Sequence, residues 1–189
     1  MHAFWLSLAV IFVAELGDKS QLMALTFAAR YRALPVLVGI TIATTAVHLV
    51  SVFVGVVLGA ALPTRAISVL AALAFFGFAV WTWRGDSLDD EEATRAERPT
   101  HHVVWAVTVA FVLAELGDKT MLATITLATT EGWLGVWIGS TVGMVLADAL
   151  AIAAGAWLGR RLPERLVARG AAVIFALFGV LLLAQAVRG

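Results

Sequence analysis

The sequence predicts an all-α integral membrane protein, with six transmembrane helices arranged as two inverted three-helix repeats. Three observations carry that expectation. Of the 189 residues, 61% are hydrophobic and 14% charged, where a soluble domain is typically about 25% charged; mean hydropathy is +0.95. Six apolar segments stand out, each long enough to cross the about 30 Å of hydrocarbon in a bilayer. The second half of the chain also repeats the first at an offset of 100 residues without a gap.

The first segment, 3–28, carries Ala14-Glu15-Leu16-Gly17-Asp18-Lys19-Ser20-Gln21-Leu22 in its middle. A charge at bilayer depth costs roughly 2.5–3.5 kcal/mol even on lenient scales, so charges there are functional candidates by default. Read as one continuous helix, the spacing puts Glu15, Asp18, Lys19 and Leu22 within about 100° of one face. Gly17 then leaves room beside that face for another backbone or an ion. Segments 35–59 and 66–83 follow after short connections. The former carries His48 mid-span, and its Gly39, Gly55 and Gly59 read as helix-packing positions. Residues 84–102 are the one hydrophilic stretch and read as a charged linker. Its acidic run Asp89-Asp90-Glu91-Glu92, and His101 and His102, read as solvated. Segment 103–129 repeats the motif as Ala114-Glu115-Leu116-Gly117-Asp118-Lys119-Thr120-Met121-Leu122. Segment 133–158 places Asp148 at the position equivalent to His48, and 170–187 completes the set.

The domain organisation follows: a first three-helix repeat over 1–83, a cytoplasmic linker over 84–102 and a second, inverted repeat over 103–189. The ungapped matches include Trp5 with Trp105, Gly39 with Gly139, Gly55 with Gly155, Gly59 with Gly159, Leu62-Pro63 with Leu162-Pro163, and Phe75 and Phe78 with Phe175 and Phe178. An odd number of spans per unit makes the two units cross in opposite directions. Many secondary transporters share that plan, with the substrate site near the midplane between the repeats. Arg30, Arg32, Arg84, Arg95, Arg98, Arg160, Arg161, Arg165 and Arg169 fall on one side, against Arg65 and Arg188 on the other. The positive-inside rule then puts the linker in the cytoplasm and both termini outside. Trp5, Trp81, Trp83, Trp105, Trp133 and Trp157 fall near span ends, as interfacial aromatics do. The opening Met1-His2-Ala3-Phe4-Trp5 lacks the basic region of a cleavable signal.

A net charge of zero gives no reason to expect a nucleic-acid partner. With no cysteine, disulfides, iron–sulfur clusters, thiolate metal sites and thiol catalysis are excluded. No resident cofactor is expected, and the chain does not read as an enzyme. The expected partners are a divalent cation and the lipid bilayer, with homo-oligomerisation left open.

Four carboxylates converging at the midplane (Glu15, Asp18, Glu115, Asp118) make a hard, anionic oxygen site suited to Ca²⁺, Mn²⁺ or Mg²⁺. Ser20 and Thr120 add hydroxyls, and Gln21 an amide oxygen. Lys19 and Lys119 are counter-charges that neutralise the site when no metal is there and must yield when a divalent ion arrives. Protonation of the carboxylates relieves the same repulsion. A site held by protons or by metal, but not both, is the minimum an antiporter needs. His48 and Asp148 read either as proton carriers and outer ligands or as polar contacts between helices. Met23, Met121 and Met144 read as packing. Other functions fit the same plan: export of small organic solutes such as amino acids, a passive divalent-cation channel, or a scaffold stapled by Glu–Lys pairs. The excess of four acids over two lysines in the motifs favours a cation.

The doubled Glu-Leu-Gly-Asp-Lys-Ser/Thr motif resembles the signature of uncharacterised protein family 16, the Gdt1 family of cation/proton exchangers. The resemblance covers the whole chain. It implies exchange of Mn²⁺ and/or Ca²⁺ against H⁺, with Glu15, Asp18, Glu115 and Asp118 as the cation and proton site. Lys19, Ser20, Lys119 and Thr120 are the matching motif members. It also implies a multi-pass protein of a bacterial inner (cell) membrane, since the chain shows no transit segment.

Overall fold

The computed structural model describes residues 1–84, 90–97, 100–158 and 164–188. All the regular structure described is α-helical: α1 (His2–Glu15), α2 (Lys19–Ala28), α3 (Ala33–Ala61), α4 (Thr64–Arg84), α5 (Asp90–Glu97), α6 (Val103–Glu115), α7 (Lys119–Ala128), α8 (Trp133–Leu158) and α9 (Glu164–Arg188). Helices α3 and α4, and Trp133–Ala156 of α8, are long and apolar enough to cross a membrane. Shorter apolar helices are His2–Glu15, Val103–Glu115 and, within α9, Ala168–Ala184.

The structure corrects the sequence reading at the first and fourth segments. Each was expected as one helix and each is broken at its charged motif. Helix α1 stops at Glu15 and α2 starts at Lys19, with Asp18 as its N-cap residue (φ −87°, ψ 163°). Gly17 (φ 74°) and Gly117 (φ 84°) take the left-handed conformation that L side chains enter only at a cost. A left-handed glycine ends a helix and a carboxylate N-cap begins one. Hydropathy hides both signals because the helices on either side stay apolar. The turn is held locally: the Gly17 N–H donates to Gln21 Oε1 at 2.9 Å, and the Gly117 N–H to Met121 Sδ at 3.2 Å. Non-helical backbone inside a membrane is tolerated only where such partners exist.

The linker reading is also corrected in part. Asp90–Glu97 is a helix, and its Glu92 and Ala96 are buried where a solvated run was expected. Asp89, Arg98, Gly159, Arg160, Arg161, Leu162 and Pro163 lie outside the described residues, as do the side chains of Trp157, Arg165 and Arg188.

The two halves interlock. Helix α1 lies along α8, and α6 and α7 lie along α3, so each broken helix packs on the long helix of the other half. Helix α4 packs on its counterpart α9, and α3 on its counterpart α8. Small residues allow the close approach. At Gly139 an added Cβ would run into the Phe4 carbonyl and the Ser7 hydroxyl; at Gly39 it would meet Val107 Cβ at 2.7 Å. Thr108 Oγ1 donates to the Gly39 carbonyl at 3.1 Å. Repeat-equivalent residues meet one another: Thr44 Oγ1 is 3.3 Å from Met144 Sδ, and the Phe75 and Phe175 rings are 5.9 Å apart. Phe78 and Phe178 complete that aromatic cluster, in the edge-to-face and tilted contacts such rings prefer.

Large apolar side chains cover much of the surface, and the interior holds polar side chains beside its apolar core. Phe53, Leu73 and Leu181 are exposed. Trp5, Trp83, Trp105 and Trp133 are exposed at or near helix ends. Ser7, Ser20, Thr44, Ser51, Thr120, Thr124 and Ser140 are fully buried. This is the distribution of a chain whose solvent is hydrocarbon.

Gly139→Val should therefore lower the thermal midpoint of the purified protein, with overpacking worth about 1–3 kcal/mol. Gly77→Ala, whose added Cβ meets nothing within 4 Å, serves as the control. Equal midpoints for the two variants would contradict the interlocked packing.

Candidate cation site

Each helix break ends one helix on a glutamate and begins the next with an aspartate and a lysine. Because the broken helices pack into opposite halves, the two breaks come together. One oxygen each from Glu15, Asp18 and Glu115 lie within 4.8 Å of one another, all three side chains being buried. Asp118 is buried too and lies within electrostatic range of Glu115. The four motif carboxylates that the sequence singled out are thus neighbours.

The motif hydroxyls hold the glutamates. Ser20 Oγ donates to Glu15 in a short contact and lies 3.1 Å from Asp18 Oδ2. Thr120 Oγ1 donates to Glu115 Oε2 at 2.6 Å, and the Thr120 N–H approaches Asp118 Oδ2 at 3.5 Å. Gln21, expected as an oxygen ligand, is placed differently: its Oε1 takes the Gly17 N–H and its amide donates to the Ala147 carbonyl at 3.0 Å. It clamps the break onto α8.

The two lysines, equivalent in sequence, sit in different places. The buried Lys119 ammonium pairs with Asp18 across the two halves. Lys19 pairs with Glu92 of α5 at 3.0 Å. Asp148 joins the acidic group, within electrostatic range of Asp18, Glu15 and Glu115. His48, its repeat-equivalent, is fully buried, and neither ring nitrogen has a hydrogen-bond partner among the described residues. Glu15 Oε2, Glu115 Oε1 and both Asp148 oxygens are likewise buried without a partner there. Buried acceptors left so are costly, and a cation or a proton would satisfy them. The donor set is oxygen throughout, the chemistry of a hard divalent ion. The methionines serve as packing: Met144 takes the Thr44 hydroxyl, Met121 takes the Gly117 N–H, and Met23 lies in the core.

Two features escaped the sequence reading. The helix breaks were signalled by Gly followed by Asp, the stop-and-cap pair. Glu92 had no signal beyond its place in an acidic run.

A family model described as divalent cation/proton antiporter GDT1 matches residues 3–90 and 103–189. A Vibrio cholerae protein named "Putative manganese exporter" is 35% identical over 128 residues, 67% of this chain and 62% of the relative. GDT1-like protein 2, chloroplastic, of Oryza sativa subsp. japonica is 32% identical over 94% of this chain and 59% of the relative. A GDT1-like protein of Synechocystis sp. is 32% identical over 95% of this chain and 96% of its own length. The chain therefore spans about three fifths of the first two relatives and nearly all of the third. No solved structure matches it.

Removing one partner of a buried pair strands the other, at a cost of about 3–5 kcal/mol. Lys119→Met should lower stability on that scale in thermal unfolding. Lys19→Met, whose side chain is less buried than that of Lys119, should cost less. Equal losses would contradict the different placement of the two lysines.

Proposed function

The chain belongs to the GDT1 family of divalent cation/proton antiporters, and on that premise we propose that it exports Mn²⁺ from the cytoplasm in exchange for protons. The observation that carries this reading is the buried cluster of acidic oxygens where the two helix breaks meet, with the Lys119 ammonium paired inside it. The name of the Vibrio cholerae relative supports Mn²⁺ as the first cation to test. Ca²⁺ takes the same oxygen ligands and is the second.

Six spans are the frame of the mechanism: α1 with α2, α3, α4, α6 with α7, α8 and α9. They form two inverted repeats, 1–83 and 103–189, joined by a cytoplasmic linker over 84–102. The contacts of Thr44 with Met144 and Phe75 with Phe175 support a pseudo-two-fold axis between the repeats. The protein lies in a cell membrane with both termini outside. Mn²⁺ enters from the cytoplasm and takes oxygens from Glu15, Asp18, Glu115 and Asp118, with Ser20 and Thr120 orienting the glutamates. Lys119 gives up Asp18 as the metal arrives, since ammonium and metal compensate the same charge. Rocking of one repeat against the other turns the site outward. Protons from outside then load the carboxylates, with Asp148 as a further acceptor, and the metal is released. The protonated site returns and gives its protons to the cytoplasm.

Proteoliposomes with a pH-sensitive dye inside test this. Mn²⁺ entry should drive proton exit, and Glu15→Gln or Glu115→Gln should cut both fluxes at least about tenfold, the effect of losing about 1.4 kcal/mol. Mn²⁺ entry without proton movement would make the protein a channel. Failure of every divalent ion to cross would turn attention to organic solutes.

A further inference from the structure

Helix α5 is built as a docked element. Its inner face carries Glu92 and Ala96, one turn apart and both buried, and Ala96 belongs to the hydrophobic core. Its outer face carries Glu91 and Arg95, paired at 2.7 Å. The helix packs on α2 and α6. Just beyond it, the Thr100 N–H donates to the Tyr31 hydroxyl at 2.9 Å, which ties the linker to the α2–α3 turn. Glu92 is the acid on that inner face, and its partner is Lys19.

The repeat makes this pairing informative. Asp18 with Lys119 and Asp118 with Lys19 are equivalent pairs by sequence. The first pair is formed in the cluster, whereas Lys19 is paired with Glu92 of α5, between the two repeats. A transporter of two inverted repeats changes sides by rocking one repeat against the other around a shared site. Where that motion exchanges the roles of the two motifs, Lys19 goes to Asp118 and its pair with Glu92 is broken.

We propose that Glu92 is a positioning residue of the transport cycle: docked α5 holds Lys19 out of the carboxylate cluster while Lys119 occupies it, and α5 releases when the two lysines change roles. The inference rests on the antiport reading above. It adds to it that the linker helix moves once per cycle, set by which lysine neutralises the site. Glu92 acts through Lys19, with which it is paired.

The chain lacks cysteine, so Ala96→Cys gives one reporter thiol on the buried face of α5. Its rate of alkylation by a maleimide is measured in proteoliposomes holding the full chain, with and without Mn²⁺, alongside Mn²⁺ binding to the same sample. The expected result is slow alkylation without metal and a rise of about fivefold or more with Mn²⁺, the lower end of ordinary site-to-site couplings. Adding Glu92→Gln should make alkylation fast with or without metal and raise the apparent KM for Mn²⁺, because the released Lys19 competes for the cluster. Glu92→Asp should restore both slow alkylation and its metal dependence. Mn²⁺ binding with a metal-independent alkylation rate would overturn this inference and leave the antiport reading standing. No Mn²⁺ binding at all would overturn both.

Discussion

The pairing of Lys119 with Asp18 inside a group of buried carboxylates is the interaction on which the rest depends. Glu15, Asp18, Glu115, Asp118 and Asp148 are buried in the interior. Such a concentration of like charge is sustained only if positive charge accompanies it. Lys119 supplies an ammonium within the cluster, from the opposite half of the chain to the carboxylate it meets. In the proposed antiport, ammonium, protons and a metal ion meet the same demand and each takes another's place. The requirement that the charge come from the other half ties the site to the packing between halves.

The backbone meets this demand by interruption. A straight helix would have spread the motif along its side, with its backbone groups satisfied internally. The breaks at Gly17 and Gly117 instead put Glu15 and Glu115 at helix ends and Asp18 and Asp118 at helix starts. Ser20 and Thr120 then reach back to the glutamates. The long helices α3 and α8 hold the broken pairs by letting small residues sit against their backbones. The apolar surface suits the buried polar residues to a hydrocarbon surrounding.

Much of this was legible in the sequence, and what was not has physical reasons. Long apolar runs exposed α3 and α4, and the ungapped repeat exposed the pairing of the two motifs. The duplicated acids identified the cluster because charge in an apolar run has few other uses. The breaks were missed because α1 and α2 are both apolar, so hydropathy runs through Gly17 uninterrupted. Composition did not tell which way the Gln21 amide turns; its oxygen takes the Gly17 N–H and its nitrogen faces the Ala147 carbonyl. Helix α5 was hidden because an acidic run has the same composition whether solvated or docked; only Ala96 and the position of Lys19 distinguish the two. The unequal placing of Lys19 and Lys119 could not be read from two motifs that agree at every charged position. His48 and Asp148 showed the opposite case: a difference in sequence that became a difference in place, with Asp148 alone drawn into electrostatic range of the cluster.

The central claim is that metal and protons share one set of carboxylates. Calorimetric titration of Mn²⁺ into the purified protein, repeated in buffers of different ionisation enthalpy, counts the protons released per metal bound. The account predicts saturable binding with net proton release that vanishes together with binding in Glu115→Gln. Binding that releases no proton, or that survives unchanged in that variant, would contradict it.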